Sequence, residues 1–375
     1  MRCAIVHYWL MKMRGGEKVL EALCRLLPDA DIFTLFYEPE SISPIIRSHR
    51  VTASFLNPLR RKYRSLLPLM PLAVEHLDLR GYDLVISSES GPAKGVLTSS
   101  ATRHICYCHS PMRYLWDLYP DYFHDWTRSG WKRAAMAPLA HYLRLWDYST
   151  ASRVDTFLAN SYNVQRRIEK AYRRESQVIY PPVAVDDFHY APAEDYYLAV
   201  SELTAYKRIE DAIRCCSRMG RKLKVVGQGA EYRRLKNMAG PSVEFCGNVP
   251  DGDLRELYAR CRAFLMPGEE DFGISAVEAL ASGKPVIALG RGGVMESSPL
   301  PELFYHEPGS GPLEAAIRRF EAVEDLIDHE SLRKHSRKFS EQRFASQMRA
   351  VIDGSRPSTA AREERRRLAP LAFRV

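Results

Sequence analysis

From its first residue the chain alternates short runs of β-branched and apolar residues with longer stretches of helical periodicity. That is the rhythm of parallel strands covered by helices on both faces. The runs Cys3–His7, Asp31–Phe36, Tyr82–Ser87, His104–Cys108, Asp155–Ala159 and Gln177–Tyr180 predict the strands of a first sheet. Between the first two, Val19, Leu20, Leu23, Leu26 and Leu27 share one helical face that stops at Pro28. Residues 181–195 carry Pro181, Pro182 and Pro192 among acidic residues, keep no hydrophobic period, and predict a linker. A second series follows at Tyr197–Ser201, Leu223–Val226, Val243–Cys246, Ala263–Met266 and Pro285–Leu289.

The pattern therefore predicts an α/β protein with a first domain over residues 1–180 and a second over 196–338. A last helix within 339–355 is expected to pack back on the first domain, followed by a basic tail over 356–375. Two doubly wound sheets of this kind face each other across a cleft and bind ligands at the carboxyl ends of their strands.

Composition adds compartment and partner class. Of 375 residues, 46% are hydrophobic and 27% charged, which supplies apolar mass for two cores. No run reaches the roughly 18 to 20 apolar residues that a spanning helix needs, and His7 interrupts the apolar start, so a cytoplasmic protein is expected. The eight cysteines show no Cys-x-x-Cys pair and no regular spacing, which points away from zinc ribbons and disulfide scaffolds. A net charge of +8 favours anionic partners without choosing among them.

The most informative stretch runs from Phe264 to Ala288. A buried strand ends at Pro267, an acidic turn follows, and a helix starts near Gly273. Free amides at Gly273, Ile274 and Ser275, with the helix dipole, make an anion site that a diphosphate would fit. Glu278, about one turn further in, offers two acceptor oxygens suited to a ribose diol, and Glu270 in the turn is placed to accept from sugar hydroxyls. Taken alone, two glutamates at this spacing are ordinary on a solvated helix. The surrounding sequence gives them meaning.

Glu270 and Glu278, followed by Ala-Leu-Ala-Ser-Gly-Lys-Pro-Val-Ile-Ala, resemble the signature of the retaining glycosyltransferases of family 4. Gly15-Gly16-Glu17-Lys18 resembles that family's first loop, Val178 to Phe188 its linker, and Val226–Gly229 and Phe245–Val249 its donor-domain strand ends. Val6-His-Tyr-Trp-Leu and Cys108-His-Ser-Pro-Met-Arg-Tyr-Leu-Trp116 are similar to bacterial O-antigen and exopolysaccharide mannosyltransferases.

The resemblance implies a GT-B fold of two Rossmann-like domains, a nucleotide diphospho-sugar donor, no cofactor and no required metal. It implies that Glu278 binds ribose and Glu270 positions the donor sugar. Phe272, Gly273 and Ile274 would present amides, Gly16 would line the donor site, Lys207 would neutralise the diphosphate, and His109 would stand near the transferred sugar. The sequence departs from the family at Glu202, where relatives place an arginine five residues before the lysine. Glu202 is expected either to point away or to pair with Arg208, and Arg208 is the expected substitute cation.

The function expected from the resemblance is transfer of a hexose, mannose from GDP-mannose, to a polyprenyl-diphosphate-linked glycan in cell-surface polysaccharide assembly. A UDP-sugar donor, a sugar-nucleotide epimerase and a non-catalytic nucleotide-sugar module stay open. A nucleic-acid binder would concentrate its cations on one face, whereas here they are scattered. Arg60, Arg61, Lys62 and Arg64, followed by Leu66, Leu67, Leu69 and Met70, suit the anionic cytoplasmic face of the inner membrane, with a buried leucine face as the alternative. Trp116, Trp126 and Trp131 with Lys132 and Arg133 form a second such cluster. Cys106, Cys108 and His109 could be read as metal ligands, but alternation along a strand turns the cysteines one way and the histidine the other. Oligomeric state is not legible.

Overall fold

The structure, a computed structural model, describes residues 1–119 and 130–354, with the side chains of 130–135 excepted. Trp126 and the basic tail lie outside the described residues, as do the side chains of Trp131, Lys132 and Arg133.

The first sheet contains β1 (Cys3–His7), β2 (Asp31–Thr34), β3 (Val51–Ala53), β4 (Leu84–Glu89), β5 (Arg103–Cys108), β6 (Thr156–Ala159) and β7 (Ser176–Val178). Their order is β3-β2-β1-β4-β5-β6-β7, and the pairings are parallel. The second sheet contains β8 (Tyr197–Val200), β9 (Leu223–Val226), β10 (Val243–Gly247), β11 (Phe264–Met266), β12 (Val286–Leu289) and β13 (Phe304–Tyr305). It runs β10-β9-β8-β11-β12-β13, again parallel. Strand order reverses beside β1 and β4 in one sheet and beside β8 and β11 in the other. Such reversals open the crevices in which α/β sheets bind ligands.

Burial explains the uninterrupted apolar strands. All five residues of β1 and all six of β4 are buried, as expected when helices cover both faces. The helix Gly15–Leu26 lays Val19, Leu20, Leu23 and Cys24 on the sheet. Two strands escape the sequence pattern: β3 has three half-buried residues and β13 only two residues, too short to establish a period.

The linker is ordered by packing. Val183, Val185 and Phe188 enter the second-domain core, and the Val183 amide donates to the Phe339 carbonyl at 2.9 Å. After Phe339 the chain crosses back. Ser340 caps the helix Glu341–Ile352, whose Phe344, Met348 and Val351 sit in the first-domain core with Leu20, Leu23 and Tyr107. Arg103 fastens the far end by donating to the carbonyls of Val351 and Ile352 at 2.9 Å each.

Phe344 is 1% exposed, and its ring meets the Tyr107 ring at 5.7 Å. Phe344→Ala is therefore expected to destabilise the first domain by about 3–5 kcal/mol. Urea unfolding checks this, with a loss below about 1 kcal/mol showing that the helix is peripheral to that core.

Candidate active site

At the end of β11 the chain turns through residues 267–272 and enters the helix Ile274–Ala281 at Gly273, whose φ of +89° a side chain would strain. No side chain caps this helix, so its first amides point out unsatisfied. The turn is clamped from the loop after β12, where the Gly293 amide donates to the Glu270 carbonyl at 2.9 Å. A Cβ on Gly293 would fall 2.3 Å from the Phe272 Cα, so only glycine lets the two loops approach. Phe272 itself is a core residue, stacked with Tyr180 and Phe339. Its backbone alone is left to face a ligand.

Glu270 is ion-paired with Lys207. Burial would depress the Lys207 ammonium, but the adjacent Glu270 carboxylate turns the net shift upward. Glu278 is 6% exposed and uses both oxygens, one accepting from Lys18 Nζ at 2.8 Å and the other from the Tyr258 hydroxyl at 3.0 Å. Lys18 comes from the first domain, so this bond spans the two sheets. The glycine loop stands at the same junction. A Cβ on Gly15 would lie 3.1 Å from Ile274 Cδ1, and one on Gly16 would lie 2.6 Å from the Tyr8 hydroxyl oxygen.

The expected pairing of Arg208 with Glu202 is not found. Arg208 has φ +54° and donates from Nε to Asp211 at 2.9 Å, in the first turn of the helix it precedes. Asp211 is buried and needs a counter-charge, which holds Arg208 there. Glu202 pairs instead with Arg14 of the glycine loop, at 3.0 Å.

On the first domain, His109 follows β5. Its Nε2 lies 2.9 Å from the Ser88 hydroxyl, which lies 3.0 Å from His7 Nδ1, and His7 Nε2 faces Glu17 at 3.5 Å. Burial first, then the neighbouring His7, push the His109 imidazole down to about 3. It is a neutral hydrogen-bonding group near pH 7 rather than a cation. Cys106 and Cys108 point the other way, into a hydrophobic cluster with Phe157 and Val164. His7 and Ser88 went unassigned in the sequence. The signal was available, because His7 closes the otherwise apolar β1 and Ser88 follows the apolar start of β4, both beside a strand-order reversal.

Further charges join the domains. Arg167 binds Asp271, Glu269 at 2.7 Å and Asp117 at 2.5 Å, while Glu296 of the second domain accepts from the amides of Tyr162 and Asn163 at 2.7 and 2.8 Å.

The basic segment is a 3-10 helix over Asn57–Leu69. Arg61, Lys62 and Arg64 are exposed, but Arg60 is half-buried and paired with Glu38 at 2.8 Å. The apolar set also changes. Met70 is buried at 1% and Leu66 and Leu67 pack on the core, whereas Phe55, Leu59, Leu69 and Leu72 are exposed. Trp116 is turned inward, donating to Asp147 at 2.7 Å. Among the described residues no helix is long and apolar enough to cross a membrane.

Two Rossmann-like domains with this junction define the GT-B class. Crystalline Anabaena Alr3699/HepE in complex with UDP-glucose shares the fold with a TM-score of 0.71 at 17% identity, over 94% of this chain and 100% of that one. Two family models match adjoining stretches, Glycosyltransferase Family 4 over residues 13–187 and Glycosyl transferases group 1 over residues 189–339. Residues 13–187 thus form a domain of the family 4 kind and residues 189–339 one of the group 1 glycosyltransferase kind.

The O-antigen chain mannosyltransferase RfbU of Salmonella typhimurium is 28% identical over 199 residues, 50% of this chain and 56% of that one. The GDP-mannose-dependent alpha-mannosyltransferase of Mycolicibacterium smegmatis is 35% identical over 95 residues, 25% of each. The match thus spans about half of the first relative and a quarter of the second.

His109 should stay neutral through the physiological range. Its ring resonances, assigned by comparison with His109→Asn, are expected to hold constant from pH 8 to pH 5 in an NMR titration. A midpoint near about 6.5, the ordinary histidine value, would contradict the burial argument.

Proposed function

We propose that the chain transfers a hexosyl group, with retention, from a nucleotide diphospho-sugar to an acceptor hydroxyl at a membrane surface. The observation that carries this reading is the Lys207–Glu270 pair beside the uncapped amides of the Ile274–Ala281 helix. A diphosphate placed on those amides would take over Lys207 as its counter-ion and release Glu270 to the sugar hydroxyls. The ribose diol would replace Lys18 on Glu278. As the bond from the anomeric carbon to the diphosphate breaks, negative charge grows where the amides and Lys207 stand. The acceptor oxygen then bonds the same carbon, and its proton leaves with the diphosphate. His109, neutral, serves as a hydrogen-bond partner for the sugar.

Mannose from GDP-mannose is the donor we favour, because the two relatives are named as mannosyltransferases and one as GDP-mannose-dependent. UDP-glucose is the second reading, supported by the complex in which the fold neighbour was crystallised. The acceptor we propose is a polyprenyl-diphosphate-linked glycan, which the exposed Arg61, Lys62, Arg64, Leu59 and Leu69 would help to reach.

Donor consumption in the presence of lipid-linked acceptor tests the activity. The early product is expected by proton NMR to keep the donor's anomeric configuration, with turnover unaffected by EDTA. Lys207→Ala and Glu270→Ala should each slow turnover by about a hundredfold or more with the fold intact, as checked by circular dichroism. An inverted anomer, dependence on metal, or wild-type rates in both variants would overturn the reading.

Membrane location has its own test. Each exposed cation contributes about 1 kcal/mol near an anionic surface, so changing Arg61, Lys62 and Arg64 to serine should sharply reduce co-sedimentation with anionic liposomes. Leu59→Ser with Leu69→Ser should weaken the part of binding that salt does not reverse. Equal sedimentation of all three proteins would show this face to be an ordinary surface.

A further inference from the structure

Arg113 stands in the segment Ser110-Pro-Met-Arg that follows β5, and no role has yet been given to it. Its side chain is 15% exposed. The guanidinium carbon lies 5.3 Å from the centroid of the Tyr206 ring, across the domain junction. The Lys207 ammonium lies 5.0 Å from the same ring, so two cations flank one aromatic side chain beside Glu270.

What separates Arg113 from the neighbouring cations is hydrogen bonding. Lys207 is bonded to Glu270, Arg208 to Asp211, Arg14 to Glu202, Lys18 to Glu278, and Arg167 to Asp271 and Glu269. Arg113 approaches Asp271 at 3.7 Å, an ion-pair distance too long for a hydrogen bond, and its buried Nε has no partner. Asp271 already accepts from Arg167, so it does not depend on Arg113 for neutralisation. A buried N–H donor left unused, such as this Nε, is costly unless something else accepts it. Its planar fork matches two oxygens of one phosphate, which the ammonium of Lys207 cannot do.

We propose that Arg113 binds a phosphate oxyanion beside the Lys207–Glu270 pair, so that the first domain supplies the forked cation absent from position 202. This rests on the nucleotide-sugar reading above. The phosphate belongs either to the donor diphosphate or to the diphosphate of a lipid-linked acceptor, and the same chemistry serves both. The assignment also gives Tyr206 a purpose: its ring face holds a cation from each domain at the place where the ligand's charge would lie.

Calorimetric titration with pyrophosphate, GDP, UDP and farnesyl diphosphate in detergent, on wild type, Arg113→Gln, Arg113→Lys and Asp271→Asn, decides the matter. Arg113→Gln is expected to weaken at least one probe by about tenfold or more. Arg113→Lys, which keeps the charge but loses the fork, should recover only part of that affinity. Asp271→Asn should bind at least as tightly as wild type, whereas an Arg113 that merely tied the domains together would make Asp271→Asn and Arg113→Gln fail alike.

A loss confined to the nucleotides assigns the donor, and one confined to farnesyl diphosphate assigns the acceptor. Equal affinity of wild type and Arg113→Gln for every probe overturns the role of Arg113 and leaves the nucleotide-sugar reading standing. A wild type that binds no probe overturns both. If Arg113→Gln does not fold, unchanged affinity in Arg113→Lys overturns the role instead.

Discussion

Lys207 is buried against Glu270, and an ammonium in that position without a counter-charge would cost several kcal/mol. Charged pairs recur along the junction, some of them half-exposed. Lys18 meets Glu278, Arg14 meets Glu202, and Arg167 meets Asp271 and Glu269. Except for Lys207–Glu270, each of these pairs takes its cation from the first domain and its carboxylate from the second. Charge compensation therefore does two things at once: it neutralises the junction and sets one domain against the other. On the function proposed above, a diphosphate would enter by exchange, taking cations from carboxylates that then become free acceptors. Exchange keeps each buried charge partnered, which makes it far cheaper than stripping a carboxylate bare.

Exchange works only if the backbone is already in place, and the second domain secures this with close loop contacts. The Gly293 amide holds the Glu270 carbonyl, and Gly273 turns the chain into a helix whose first amides stay unsatisfied. Opposite them, the first domain presents a hydrogen-bonding string, His7–Ser88–His109, at the reversal of its own strand order. The uncapped amides are thus arranged for an anion, whereas the string opposite them offers hydrogen-bonding groups. That asymmetry fits a reaction in which the leaving group carries the charge and the sugar carries hydroxyls.

Much of the architecture was legible in the sequence, because a parallel strand covered by helices on both faces is apolar along most of its length. Cys3–His7 and His104–Cys108 announced themselves in that way, and β1 is found over the same residues. The edge strands β3 and β13 were silent, being too short and too little constrained on one side to carry a pattern. Residues 181–195 read as a linker from their prolines, but their packing against Phe339 depends on chain more than a hundred residues away. Met70 likewise read as surface among the leucines of 66–70, and only the helical turn it occupies sends it into the core.

For the site, sequence alone placed the residues whose position is local: Gly273 and Ile274 at a helix start, Glu270 in its turn, and Glu278 one turn in. It could not say whom the charges would meet. Lys18 and Glu278 are 260 positions apart, Arg14 and Glu202 are 188 apart, and nothing in either segment encodes the other. Arg208 shows the failure most clearly. By sequence it stood nearest to Glu202, yet a buried Asp211 three residues on claimed it, because the cost of a bare buried carboxylate exceeds any preference for a half-exposed one. Local hydrogen bonding and burial period travel with the chain and can be read from it. Compensation of buried charge depends on which side chains the fold brings within a few ångströms, and only the tertiary structure decides that.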